Sequence, residues 1–205
     1  CLLQVIPRLD VGGAETGCKD IAQFVDNQNY FSAILCSGGE QVKNIDQTKV
    51  KIFKFSVQSK NPFVIFFNVF VILFIVLFYK INIIHVRSRA PAWSCYFASK
   101  LLGVPLISTF HGTYNFNNPL KKFYNSVMLR GNSVIAGSRF IFEHIKNNYN
   151  YSKEIFLIPR GIDINYFNPK NSNIEELNSV RTRWGISNNN FLILLPGRLT
   201  FWKGQ

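Results

Sequence analysis

The stretch from Gln4 to Phe24 limits the folds open to this chain more than any other. Leu2, Leu3, Val5 and Ile6 form a short apolar run, Pro7 to Asp10 breaks it, and Gly12 and Gly13 follow. From Ala14 the apolar residues Ile21, Ala22, Phe24 and Val25 recur at helical spacing. A strand that stops at a double glycine and restarts as a helix is the opening unit of a doubly wound α/β domain. Glycine has no Cβ and accepts positive φ, so the chain can turn tightly and a ligand can approach its amides. The first amides of the following helix have no partner within it and carry the positive end of its dipole, which makes an anion site. A ligand-free strand-to-helix turn would read the same way. No G-x-G-x-x-G is present, so a nicotinamide-type fingerprint is not supported.

The alternation continues down the chain. Strands are predicted at Phe31–Cys36, Val50–Val57, Ile81–Val86, Val104–Thr109, Ser133–Ala136 and Ile155–Ile158. Helices are predicted at Pro91–Leu102 with Gly103 as C-cap, at about Pro119–Leu129, and from an N-capping Ser138 to about Tyr149. A polar connector over 171–190 holds a short helix ending near Trp184, and Phe191–Leu195 reads as a further strand. The expected architecture is α/β, a doubly wound Rossmann-like parallel sheet over 1–170, the connector, and the start of a second Rossmann-like domain over 191–205. With 205 residues, 47% of them hydrophobic, one well-buried domain is within reach. The chain begins without Met and already in a strand, so residues are expected to precede Cys1.

Phe63 to Tyr79 contains one strongly polar residue, Asn68, and is flanked by Lys60 and Lys80. Its seventeen residues sit at the lower limit for a membrane-spanning helix. It can be a helix buried against the sheet, a helix lying on a membrane surface, or a spanning helix. Spanning is disfavoured, because strands on either side of it continue one alternation and could not share a sheet across a bilayer. The 20 Phe of the chain read as compositional background, as an A/T-biased coding sequence would produce.

A net charge of +12 and a pI near 9.7 favour an anionic partner. The basic residues are scattered without a nucleic-acid reading motif, so no nucleic acid is expected. Cys1, Cys18, Cys36 and Cys95 have irregular spacing and no C-x-x-C, which fits a reducing cytoplasm and neither a zinc site nor a disulfide framework. The three histidines are too dispersed for a metal centre. In open α/β sheets ligands bind at the carboxyl ends of the strands, so His85, Arg87, Arg89 and His111, with Tyr114 in the turn after His111, are expected to face one crevice. A histidine there can equally be a hydrogen-bonded turn residue, and an arginine a solvated one.

Five short runs occur in order: V-G-G-A-E at Val11–Glu15, T-F-H-G at Thr109–Gly112, A-G-S at Ala136–Ser138, I-P-R-G-I-D at Ile158–Asp163 with Phe167 and Pro169 after it, and P-G-R-L-T-F-W-K-G at Pro196–Gly204. Together they resemble the retaining GT-B glycosyltransferases of family 4. The run from Arg87 to Trp93 further resembles alphaproteobacterial members that build lipopolysaccharide core. The resemblance implies a two-domain enzyme, with the nucleotide sugar held mainly by the C-terminal domain and the acceptor mainly by the N-terminal one. It also implies that Gly12 and Gly13 approach the donor diphosphate, that Arg198 and Lys203 grip it, and that His111 lies near the reacting sugar. Amides and cations would then stabilise the departing nucleoside diphosphate without a metal.

The acceptor implied is a lipid-linked or polysaccharide component of the cell envelope, with His85, Arg87, Arg89 and Tyr114 on its side. The location implied is the cytoplasm, peripheral at the inner face of the cytoplasmic membrane. The family's E-x7-E motif, base pocket and closing helix would lie beyond Gln205, so these 205 residues by themselves are expected to be inactive. Where family members carry basic and polar residues, Phe63–Tyr79 carries Phe, Val and Ile, which favours the membrane-surface reading. The alternative from another class is a non-catalytic, membrane-associated anion-binding α/β module.

Overall fold

A computed structural model describes all residues except 115–117, 150, 188, 198, 200, 202, 203 and 205. The chain divides into two compact units, Cys1–Arg160 and Gly161–Gln205. The first holds seven parallel strands: β1 (Leu2–Val5), β2 (Ser32–Cys36), β3 (Val50–Lys54), β4 (Ile83–Val86), β5 (Leu106–Phe110), β6 (Ser133–Ala136) and β7 (Ile155–Leu157), in the order β3-β2-β1-β4-β5-β6-β7. β1 is central: Leu3 pairs in register with Ala33 of β2 and with Ile84 of β4. Such strands are buried on both faces, which is why β2 reads as Ser-Ala-Ile-Leu-Cys with every residue buried.

The crossover helices are α1 (Gly13–Asn27), α2 (Pro62–Phe78), α3 (Arg89–Leu102), α4 (Pro119–Ser126) and α5 (Arg139–Asn148). Cys18 and Ala22 of α1 pack with Ile34 and Cys36 on one face of the sheet. α2, α3 and α5 pack on the other, where Ile72, Ile75, Ala98 and Ile145 meet Leu3, Leu35, Ile84 and Val86. Right-handed crossovers require this split, because the chain moves one way across the sheet from β1 to β3 and the other way from β3 to β7.

Local signals set the helix ends. Asn61 Oδ1 accepts from Phe63 N at 2.9 Å with Pro62 at the first position of α2. Gly103 closes α3 in the left-handed region at φ 68°. Ser138 Oγ accepts from Ile141 N at 3.3 Å to cap α5. The helix expected over 119–129 ends as α at Ser126 and tightens to a 3₁₀ turn over Val127–Leu129. A further 3₁₀ turn, Glu40–Asn44, lies in the connection between β2 and β3.

α2 sorts its apolar residues by shape. Val69, Val71, Ile72, Ile75 and Val76 are buried, whereas Phe63, Phe66, Phe67, Phe70, Phe74, Leu77 and Phe78 are exposed. The buried Asn68 donates Nδ2 to Ser56 O at 3.2 Å, and Ser94 of α3 donates Oγ to Ile65 O at 2.9 Å. β3 and β4, on either side of α2 in sequence, lie in one sheet, and among the described residues no helix is long and apolar enough to cross a membrane. The phenylalanines are therefore not evenly spread background: six of them line the outward side of one helix.

The second unit holds α6 (Ile174–Arg183), whose N-cap Asn173 accepts through its side chain from Glu175 N, and a 3₁₀ turn at Pro169–Asn171. Residues 191–195 form no strand, contrary to the apolar pattern, and Phe191 is 99% exposed. A strand exists by pairing, and the described residues offer this segment no neighbouring strand.

Candidate functional site

β1 and β4 lie side by side, yet α1 returns from β1 toward β2 while α3 goes on from β4 toward β5. Where the connections diverge, a crevice opens at the carboxyl ends of the strands. Gly12 and Gly13 follow β1 at this edge, Arg87 follows β4, His111 follows β5, and Arg160 follows β7.

Arg87 is 5% exposed. Its Nε donates to Gln4 Oε1 at 2.8 Å, and Gln4 Nε2 donates to Cys18 O at 2.8 Å, so a glutamine inside β1 ties the guanidinium to α1. Arg87 Nη2 is buried and has no partner. Burial, above all, lowers its pKa, but a guanidinium stays charged in a protein. A buried cation with a free donor and, among the described residues, no carboxylate in ion-pair contact is a site that an anion would complete.

His111 lies beside it. Arg160 Nη2 is 3.0 Å from His111 Nδ1. A guanidinium has no acceptor, so Nδ1 must accept and the ring proton sits on Nε2. That Nε2 is buried and unpartnered. Burial first, then the charges of Arg87 and Arg160, push the His111 pKa down to about 3. The imidazole is thus a neutral donor at ordinary pH, suited to holding a hydroxyl or a developing negative charge rather than to relaying protons near pH 7.

Gly12 is at φ 172°, extended backbone open to any residue, and Gly13 also lies outside the positive-φ set. The glycines are required by close approach instead of by φ, which corrects half of the reason expected for them. A Cβ on Gly13 would run into the Arg160 guanidinium, and one on Gly12 into the Glu15 carboxylate. α1 has no side-chain cap, so its first amides are open to an outside acceptor.

The other expected residues divide. His85 is buried within β4, its Nε2 2.7 Å from Thr109 Oγ1, so it supports the sheet behind Arg87 and His111 and does not face the crevice. Burial first, then Arg87 and His111, push its pKa down to about 3. Arg89 donates Nη1 to Asn125 Oδ1 at 2.8 Å and stacks 4.2 Å over the Tyr114 ring. That pair ties α3, α4 and the turn after β5 together. Burial pushes the Tyr114 hydroxyl up to about 12, with Arg89 opposing. Arg198 and Lys203 lie outside the described residues. Among the described residues no group of three His, Cys, Asp or Glu could hold a metal ion.

Arg160 is the residue that sequence reasoning passed over. It stood inside the run I-P-R-G-I-D as a landmark, and the only signal for a role was its place directly after a strand at the ligand-binding edge.

Comparisons with known proteins agree with the fold. No curated protein matches the chain in sequence. Among solved structures, a glycosyltransferase from Rickettsia africae ESF-5 is 38% identical, with a TM-score of 0.84 over 99% of this chain and 54% of that one. Anabaena Alr3699/HepE in complex with UDP-glucose is 17% identical, with a TM-score of 0.71 over 92% of this chain and 50% of that one. The lipopolysaccharide outer core galactosyltransferase WaaB is 13% identical, with a TM-score of 0.61 over 80% of this chain and 46% of that one. The chain therefore spans about half the length of the structures it matches. The sequence model of Glycosyltransferase Family 4 matches residues 11–166, which takes in the glycine turn, every strand from β2 to β7 and the His111–Arg160 pair. The chain belongs to glycosyltransferase family 4.

Proposed function

We propose that this chain forms the acceptor-side part of a retaining glycosyltransferase that moves a sugar from a nucleotide-sugar donor to a lipid-linked or polysaccharide acceptor of the cell envelope, of the lipopolysaccharide type. The observation that carries the reading is the convergence of Arg87 Nη2, His111 Nε2 and the open amides of α1 on the carboxyl edge of the sheet, donors without acceptors at one place. HepE, a fold relative, has been crystallised with UDP-glucose, which supports a nucleoside diphosphate sugar as the donor.

As the glycosidic bond to the diphosphate breaks, negative charge grows on the leaving phosphate oxygen. Donors that are already in place meet that charge without reorganising, and so act more strongly in the transition state than in the ground state. In this reading the α1 amides and Arg160, with Arg198 and Lys203, stabilise the leaving group in place of a metal ion, and neutral His111 donates to the transferring sugar or to its acceptor.

The exposed phenylalanines of α2 belong to the same reading. Residues 47–142 hold no Asp or Glu and twelve Lys and Arg, so the region bearing that apolar face is of one sign. Aromatic residues enter the boundary layer of a bilayer while cations attract anionic headgroups. The protein is placed, on this reading, in the cytoplasm at the inner face of the membrane.

The test is transfer by the full-length protein from a panel of nucleotide sugars to lipid-linked acceptors, with the anomeric configuration of the product read by NMR. Transfer with retention is expected. Nucleotide-sugar binding without transfer to any envelope acceptor would return the chain to the anion-binding module reading.

A further inference from the structure

α2, α3 and α4 enclose an apolar groove of about 830 Å³. Phe66, Phe70 and Leu73 of α2, Phe97 and Leu101 of α3 and Phe123 of α4 wall it. α2 and α3 are successive crossovers of one parallel sheet, so they run in the same direction, and the Ser94–Ile65 hydrogen bond sets their register. Lys60 and Trp93 therefore stand at the end where both helices begin, and Leu73 and Leu101 toward the end where both finish. From Pro62 to Leu73 the groove runs roughly 16 Å at 1.5 Å per residue.

Two lining groups make this more than an apolar furrow. Trp93 Nε1 and Tyr124 Oη are buried and have no hydrogen-bond partner among the described residues. Phe123, the neighbour of Tyr124, lies 5.5 Å from the Trp93 ring between centroids, so both donors belong to the Lys60 end. A buried donor without an acceptor costs free energy that a ligand oxygen would recover. Lys60 lines this end, and a second cation, the Arg130 guanidinium, stands over two of the groove's rings, 5.4 Å from that of Trp93 and 5.1 Å from that of Phe123.

We infer that this groove holds one hydrocarbon tail of an anionic glycerolipid, with the ester oxygens accepting from Trp93 and Tyr124 and the headgroup meeting Lys60. The tail lies along α2 and α3 toward Leu73 and Leu101, and the exposed Phe63, Phe67 and Phe74 of the same helix meet the surrounding lipid. Helices in this sheet start at the carboxyl ends of the strands, so the headgroup end lies on the edge that carries Arg87 and His111. The inference deepens the membrane reading above, on which it rests for access to lipid.

The test uses the full-length protein and a short-chain phosphatidylglycerol below its micelle concentration, with bromine on the acyl chains as a contact quencher. Saturable binding with quenching of Trp93 fluorescence, identified by its loss in Trp93→Phe, is expected. Phe97→Glu should weaken binding at least about tenfold, and Leu101→Glu, at a mostly exposed position, serves if the first variant fails to fold. Tyr124→Phe should weaken the ester lipid about threefold and leave its ether analogue unchanged. Flotation on anionic vesicles separates the two readings. A protein that floats while the soluble lipid neither saturates nor quenches Trp93 overturns the groove and keeps surface docking. Saturable quenching without flotation keeps the groove and removes surface docking. A lipid-free dimer that Phe97→Glu makes monomeric would give the groove to a second copy of the chain and overturn the lipid.

Discussion

α1 and α2 are both crossover helices packed on the central strands of one sheet, on opposite faces, yet they are built on different rules. α1 buries Cys18 and Ala22 and leaves outside the core a mixed face, Glu15, Lys19, Asp20 and Gln23 beside the exposed Ile21 and Phe24. α2 buries Val and Ile and turns Phe outward. Holding a helix on a sheet needs one apolar stripe, and α1 shows that this sheet asks for no more. The outward half of α2 is therefore surplus to the packing of the helix on the sheet, and the membrane proposal gives that surplus a use.

The sharpest way to break this comparison is to cut the two sides of α2 separately. Ile72→Ala removes a fully buried side chain and should lower stability by about 2–5 kcal/mol in urea unfolding. Phe74→Ser on the outward side should change stability by no more than about 0.5 kcal/mol while reducing flotation on anionic vesicles. Equal destabilisation by both would mean that the outward face is covered by protein.

On the α1 side the readout is activity. Arg160→Ala and His111→Ala in the full-length enzyme should each lower kcat/KM by at least about tenfold, ~1.4 kcal/mol, with little change in the unfolding midpoint. Arg198→Ala and Lys203→Ala should do the same if they grip the diphosphate, and unchanged kinetics in both would remove them from the site. Gly13→Ala, which forces the Arg160 guanidinium aside, should cost less, about threefold in kcat/KM, since the obstacle is the far end of a flexible side chain.

The pH dependence of stability reads the buried histidines without any effect on the reaction. His85 and His111 titrate near 3 when folded and near 6.5 when unfolded, so between those values the unfolded chain binds more protons. Stability is full above about pH 6.5 and falls as the pH drops toward 3. Urea midpoints measured from pH 7.5 to 4.5 should show this decline, and His85→Gln should roughly halve it, leaving the part due to His111. An unchanged slope would mean that His85 is not held neutral by its burial.

Most of the sheet was legible because its signals are local. Val50, Ile52 and Phe53, the Ser138 cap and the Gly103 stop each declare themselves within a few residues. The site was legible in part, for a different reason. Arg160 approaches Gly13 across almost the whole domain, and nothing near either residue announces the other. His85 and Arg87 are two apart in sequence and look alike at a strand end, but the interior position of one and the end position of the other depend on where β4 stops. In α2 an unbroken apolar run has no polar face to give it a phase, so which side would face the sheet was not readable. Residues 191–195 have the apolar pattern of a strand, but pattern does not supply a neighbour.

The unbroken apolar character of α2 also sets a condition on synthesis. A helix of this length forms within about a microsecond, whereas a ribosome adds about 5–20 residues per second. β4, whose pairing with β1 closes the sheet beneath α2, ends eight residues after Phe78, so its completion follows by roughly 0.4–1.6 s. Through that interval the nascent chain carries a finished helix whose one strongly polar side chain is Asn68, with the Val and Ile side still uncovered by a closed sheet. On the membrane proposal, slow codons across residues 79–86 would lengthen the time in which lipid can compete with the core for α2.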